Sequence, residues 1–215
     1  MIKKILIYSG IGIGVLALLG AAYWYFLWEE EKIEYSYKNY LYHFTETELP
    51  VYISQSYLSN FSYRGLKVLD SGFVANFIEP NKHILDDIFS YDHFDYFAFR
   101  QIKLRDAHTG VIYIKRSRSA SVDIHFHLAI YDFEGERKSK MLFAEMFGDC
   151  TDLHVMEGSI GKTLMIKTKE EILEFDESCN ELISTKSKPA TDYRIDKLGF
   201  IRKQVYDVEY KNNQY

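Results

Sequence analysis

From Ile5 to Trp28 the chain runs for twenty-four residues without a charged side chain, between Lys3-Lys4 and Glu29-Glu30-Glu31. Coiled as a helix rising about 1.5 Å per residue, such a segment reaches roughly 36 Å, enough to cross a hydrocarbon core about 30 Å thick. Only a helix satisfies every backbone group within one segment in lipid, so residues 5–28 are predicted to be a transmembrane helix. The apolar run continues through Tyr23, Trp24, Tyr25, Phe26, Leu27 and Trp28, where a signal peptide would already be polar. An uncleaved signal anchor is therefore expected rather than a removed leader. Tyr23, Trp24, Tyr25 and Trp28 form an aromatic belt suited to headgroup depth, and both tryptophans of the chain lie in it. Gly10, Gly14, Ala17 and Ala21 place small residues along roughly one helix face. Close backbone approach there would allow a homodimer, although glycine and alanine are also common in isolated membrane helices.

Behind the anchor the period changes. Val122, Ile124, Phe126, Leu128 and Ile130 alternate with Asp123, His125, His127, Ala129 and Tyr131, the mark of a strand with one apolar face. Asp95–Leu104 and Val111–Lys115 flank a turn and read as a hairpin. Further strands are expected at Met141–Phe147, Thr163–Thr168, Ile172–Phe175, Tyr193–Ile195 and Phe200–Tyr210, separated by turns at Glu134-Gly135-Glu136, Gly148-Asp149 and Lys197-Leu198-Gly199. Asn81–Phe89 is the expected helix of the soluble part, with Asn81 as its cap. Residues 29–60 fit no single period. The expected organisation is a short N-terminus (1–4), the transmembrane helix (5–28), a juxtamembrane segment (29–45) and one mainly-β, antiparallel domain (46–215), all-β or α+β.

Charge narrows the setting. Only Lys3 and Lys4 of the 26 Lys and Arg lie in residues 1–28, against none of the 31 acidic residues, which leaves the remainder at −7. An acidic domain disfavours nucleic acid as a partner. Lys3, Lys4 and the terminal amine favour a cytoplasmic N-terminus, so the domain is expected to be extracytoplasmic, in the periplasm if the membrane is a bacterial inner membrane. Cys150 and Cys179 are the only cysteines. In an exported domain they permit one disulfide, worth roughly 3–4 kcal/mol on the chain-entropy account, whereas two free thiols would suit a cytoplasmic domain.

Candidate chemistry is sparse. His125 and His127 share a strand face about 7 Å apart and are the candidate metal ligands, with zinc the ion that two imidazoles and a third donor would suit. A cupin-like arrangement, which also contains His-x-His, needs a glycine six residues before the first histidine and a glutamate soon after the second; Ser119 and Asp132 stand there. Gly161-Lys162-Thr163 ends like a phosphate-binding loop, but Met156 occupies the position of its first glycine and a strand follows instead of a helix. No Gly-x-Ser-x-Gly elbow exists. The pattern therefore predicts a non-catalytic domain that holds a protein or peptide partner at the bilayer surface, as an immunity-type protein or an envelope-complex accessory. A metal-dependent hydrolase using His125 and His127 is the alternative.

Overall fold

The computed structural model describes residues 34–80, 94–118, 122–149 and 151–204. The expected membrane span, its aromatic belt and its small-residue face lie outside the described residues, as does the helix expected at Asn81–Phe89. No helix among the described residues is long and apolar enough to cross a membrane. The chain divides into two units, Met1–Glu34 and Tyr35–Tyr215, and every element below belongs to the second.

In chain order the strands are β1 (Thr45–Thr47), β2 (Val51–Ile53), β3 (Lys67–Val68), β4 (Phe94–Lys103), β5 (Thr109–Ser117) and β6 (Val122–Tyr131). Then come β7 (Arg137–Gly148), β8 (Asp152–Ile160), β9 (Met165–Phe175), β10 (Leu182–Ser187), β11 (Thr191–Ile195) and β12 (Ile201–Lys203). They form one mainly antiparallel sheet in the order β1-β4-β5-β6-β7-β8-β9-β11-β12. β10 runs beside β9, β2 beside β8 and β3 beside β4, and β1 pairs with β4 in parallel.

The alternation along β6 sets the two faces. Ile124, Phe126, Leu128 and Ile130 point into a core shared with Phe97 and Phe99 of β4, Ile112 and Ile114 of β5, Phe143 of β7, Val155 and Ile160 of β8, Ile166 of β9 and Ile195 of β11. One cluster spanning nearly the whole strand order means that the sheet curls around its own inner face. The turn after β11 shows how far it curls. A Cβ at Gly199 would lie 2.7 Å from the His108 ring and 3.2 Å from Ile130, and the Gly199 carbonyl accepts a 2.7 Å hydrogen bond from Ser139 Oγ. The far end of the sheet thus seats on β5, β6 and β7.

The outer face is covered where it is apolar. α1 (Tyr37–Leu41) and α3 (Ser71–Phe73), which runs on into one wide turn (Val74–Ile78), lay Tyr40, Phe73 and Ile78 on Val111, Tyr113, Ala129 and Tyr131. These helices are too short to form alone and depend on their caps. Ser36 accepts from Asn39 N–H, Ser54 from Tyr57 N–H at the start of α2 (Gln55–Ser59), and Asp70 from Gly72 and Phe73 N–H. Tyr131 Oη donates to Phe77 O at 2.7 Å and ties the wide turn to β6. Of the tyrosines just beyond the expected span, Tyr40 is wholly buried in this layer, while Tyr42 is 79% exposed.

Three differences from the expected strands have local reasons. Thr163–Thr168 and Ile172–Phe175 are parts of the single strand β9, with Thr163 and Leu164 in the preceding turn. The charged residues between them remain in the ladder, where Lys169 pairs with Glu171 at 2.7 Å. The last expected strand is confined to Ile201–Lys203 among the described residues. β8 and β10, like the short β1, β2 and β3, are strands the pattern does not announce, and in β8 the reason is Gly158-Ser159, which reads as a turn. Gly158 sits there instead because Phe143 O occupies the space its Cβ would need. Accordingly, Gly158→Ala is expected to destabilise the protein by about 1–3 kcal/mol. Gly161→Ala, whose Cβ would meet nothing closer than 3.8 Å, should stay within about 0.5 kcal/mol. Thermal melting of the full chain in detergent, followed by circular dichroism, compares the two.

Candidate functional site

At the Asp123 end of β6 the outer face turns from aromatic to ionic. The antiparallel register sets His125 directly opposite Glu145 of β7, and Phe147 opposite His154 of β8. Asp123 lies two residues before His125, on the same face. The result is a ladder of alternating imidazoles and carboxylates across neighbouring strands. His125 Nε2 hydrogen-bonds the Asp123 carboxylate, and His125 Nδ1 lies 2.8 Å from Glu145 Oε2. Glu145 Oε1 faces His154 Nδ1 at 3.9 Å, beyond hydrogen bonding, and that nitrogen is buried without a hydrogen-bond partner. His154 Nε2 lies 3.1 Å from Glu170 Oε1 on β9, and Lys188 Nζ closes the row on the same oxygen. Ser117 N–H donates to the other Asp123 oxygen at 2.6 Å. Phe147 sits between the two imidazoles, with ring centroids 5.7 Å from His125 and 4.8 Å from His154.

The two candidate ligands from the sequence meet opposite fates. Burial works to lower the pKa of His125, but the hydrogen bond to Glu145 and the charge and hydrogen bond of Asp123 outweigh it, and the net shift is upward. An imidazole held by a carboxylate at each nitrogen is satisfied only as the imidazolium, with an N–H donated to each side. His127 lies flat on Tyr113 at 5.1 Å, and its Nδ1 is buried without a hydrogen-bond partner. Burial first, then the charges of Lys140, His125 and Lys115, lowers its pKa from 6.5 to about 3. His127 is therefore a neutral ring packed as an aromatic.

Placed in this way, His125 offers no free nitrogen lone pair. No group of three or more His, Cys, Asp or Glu among the described residues is arranged to hold a metal ion. Cys179 is disulfide-bonded and stands in the turn between β9 and β10 with a left-handed backbone, φ 61°. Cys150, its candidate partner, lies outside the described residues. The pattern does not announce Glu145 as the partner of His125, nor Glu170 as the partner of His154. Glu145 had left a trace: it is the single acid within Met141–Phe147, and it is only 7% exposed. A lone carboxylate in an apolar strand needs a cation opposite, and the register supplies one.

The ladder and the packed ring act on stability in opposite pH ranges. The raised pKa of His125 contributes stability below about pH 6.5, and this is lost as pH rises through the folded value. The lowered pKa of His127 works the other way: as pH falls below 6.5 the unfolded chain takes up a proton that the folded one refuses. That loss amounts to about 2 kcal/mol by pH 5. His127→Phe, which keeps a ring on Tyr113, is therefore expected to lose about 2 kcal/mol less than the parent between pH 8 and pH 5. His125→Gln should flatten the alkaline side instead. Urea midpoints across pH 5–9 test both, and equal acid losses in parent and His127→Phe would show that His127 titrates normally.

No protein-family model, no curated protein and no solved structure matches the chain, so its function is argued from its own residues.

Proposed function

We propose that the chain is a single-pass membrane protein whose non-catalytic β-rich domain binds a protein or peptide partner in the extracytoplasmic space. An immunity-type protein or an accessory subunit of an envelope complex has this design. The anchor rests on the uncharged run from Ile5 to Trp28, and the side of the membrane on Lys3, Lys4 and the terminal amine. In that oxidising setting a Cys150–Cys179 bridge is the expected state of the two cysteines.

One observation carries the binding role. β10 pairs with β9 along one side, and among the described residues no strand pairs with its other side. β10 is six residues long, whereas β1 and β12 have three each. β12 is also blunted by Arg202 and Lys203, as sheet edges usually are. β10 carries one lysine, Lys186, held to Glu174, and a bulge between Leu182 and Ser184, and it presents Leu182 at 53% and Ile183 at 68% exposure. A strand edge with apolar side chains beside it is a template for an extended peptide, which gains main-chain hydrogen bonds and apolar contact together. Tethering such an edge to a membrane confines the search for its partner to one surface.

A photo-crosslinking residue at Ile183 of the full chain, expressed in its membrane, is expected to capture one specific partner. The same residue at Phe133, an exposed turn position, should not. Leu182→Glu with Ile183→Glu should abolish the crosslink while leaving the melting temperature within a few degrees. Identical crosslinks from both positions would sink the edge reading. Protease digestion of intact and permeabilised cells, with a cytoplasmic control, tests the side of the membrane. Stoichiometric zinc in the purified full chain, lost on His125→Ala with His127→Ala, would favour the metal-dependent hydrolase instead.

A further inference from the structure

Three hairpin turns, far apart in sequence, border one cleft of about 330 Å³. They are the β4–β5 turn at Leu104–His108, the β8–β9 turn at Gly161–Leu164 and the β11–β12 turn at Asp196–Phe200. The size falls at the small end of the range of about 300–1,000 Å³ typical of ligand sites. Leu104, Leu164 and Ile195 give it an apolar wall, and Ile195 is only 4% exposed.

Its rim is basic. Arg105, Arg194, Lys197 and Arg202 stand against Asp106 and Asp196, a local surplus of two positive charges on a domain that is acidic overall. Asp196 is already committed: Oδ1 accepts N–H groups of Leu198 and Phe200 at 2.9 and 2.8 Å, and Oδ2 accepts Arg202 Nε at 3.2 Å. Arg105, Arg194 and Lys197 form none of the ion pairs among the described residues.

The register makes the arrangement costly. Arg194 and Arg202 are directly opposite each other across β11 and β12. Like charges in that position repel and destabilise the pair; Arg202 is held by Asp196 and the Phe200 ring, whereas Arg194 has no such ion pair among the described residues. The backbone around the cleft is also strained. Asp106, Ala107 and Leu164 hold left-handed φ values of 56°, 59° and 63°, where non-glycine residues are uncommon. Two arginines at opposed register positions that both line the cleft suit the several oxygens of a phosphate group, and a surplus of two charges matches a dianion.

The geometry points to this cleft as a binding site for a small phosphate monoester, with its phosphate between Arg194 and Arg202 and its organic part against Leu104, Leu164 and Ile195. The site is separate from the β10 edge, and neither depends on the other.

Titration of the full chain in detergent with phenyl phosphate, read by calorimetry, tests it. Saturable 1:1 binding is expected, at least tenfold tighter than for inorganic phosphate and absent for the neutral phenyl glucoside. Arg194→Gln should weaken binding at least tenfold yet raise the melting temperature of the unliganded protein, because it removes the like-charge pair. A purely structural arginine would not show that combination. Arg194→Lys should recover part of the affinity, and Lys169→Ala, in an exposed pair elsewhere, none of the loss. Benzoate binding as tightly as phenyl phosphate would overturn the phosphate assignment. No saturation by 10 mM (about the weakest affinity such a site would have), or affinity unchanged in Arg194→Gln, would overturn the site.

Discussion

The inner face of the curled sheet must be apolar from end to end, and the rest of the molecule is arranged around that demand. Phe126, Leu128 and Ile130 on β6 are fully buried and join a core contributed by strands on both sides. Because side chains alternate, every inward residue commits the next one outward. The outer face therefore receives whatever the alternation leaves, and it is resolved differently along its length. At one end α1 and α3 cover it with aromatic rings. At the other, imidazoles and carboxylates from neighbouring strands pair with one another.

That ionic end adds little net stability, since desolvation offsets most of the attraction between partly buried charges. What it supplies is register. A slip of one residue between β6 and β7 would leave Glu145 facing Phe126 or Ile124 rather than His125. A nearly buried carboxylate without its cation costs several kcal/mol, so the ladder selects one alignment of four strands among alternatives that bury similar apolar area.

How much of this was legible depends on the range of the interaction that decides each part. The β6 strand and the β4–β5 hairpin are written in local alternation and turn residues. The short helices are not, because α1, α2 and α3 exist through single capping side chains at Ser36, Ser54 and Asp70 and through the sheet beneath them. β8 hid behind Gly158, whose reason is a carbonyl on another strand. The histidine pair was visible as a pattern, but its chemistry was not. The roles of His125 and His127 are set by Glu145 and Tyr113, from two different strands. The basic cleft was still less visible: Arg194, Lys197 and Arg202 share one hairpin, but Arg105, Leu104 and Leu164 reach it from two others.

The cover over the outer face also sets an order of events in making the molecule. Tyr40 meets Tyr131 across 91 residues of chain, and Phe77 receives the Tyr131 hydroxyl across 54. At synthesis rates of about 5–20 residues per second, Tyr40 exists for roughly 5–18 seconds before its seat on β6 has been made. The aromatic segment is made well before the strand that buries it. During that interval it is an exposed sticky surface at the front of a nascent chain, the kind of segment chaperones hold, and it closes like a latch once the third long strand is in place.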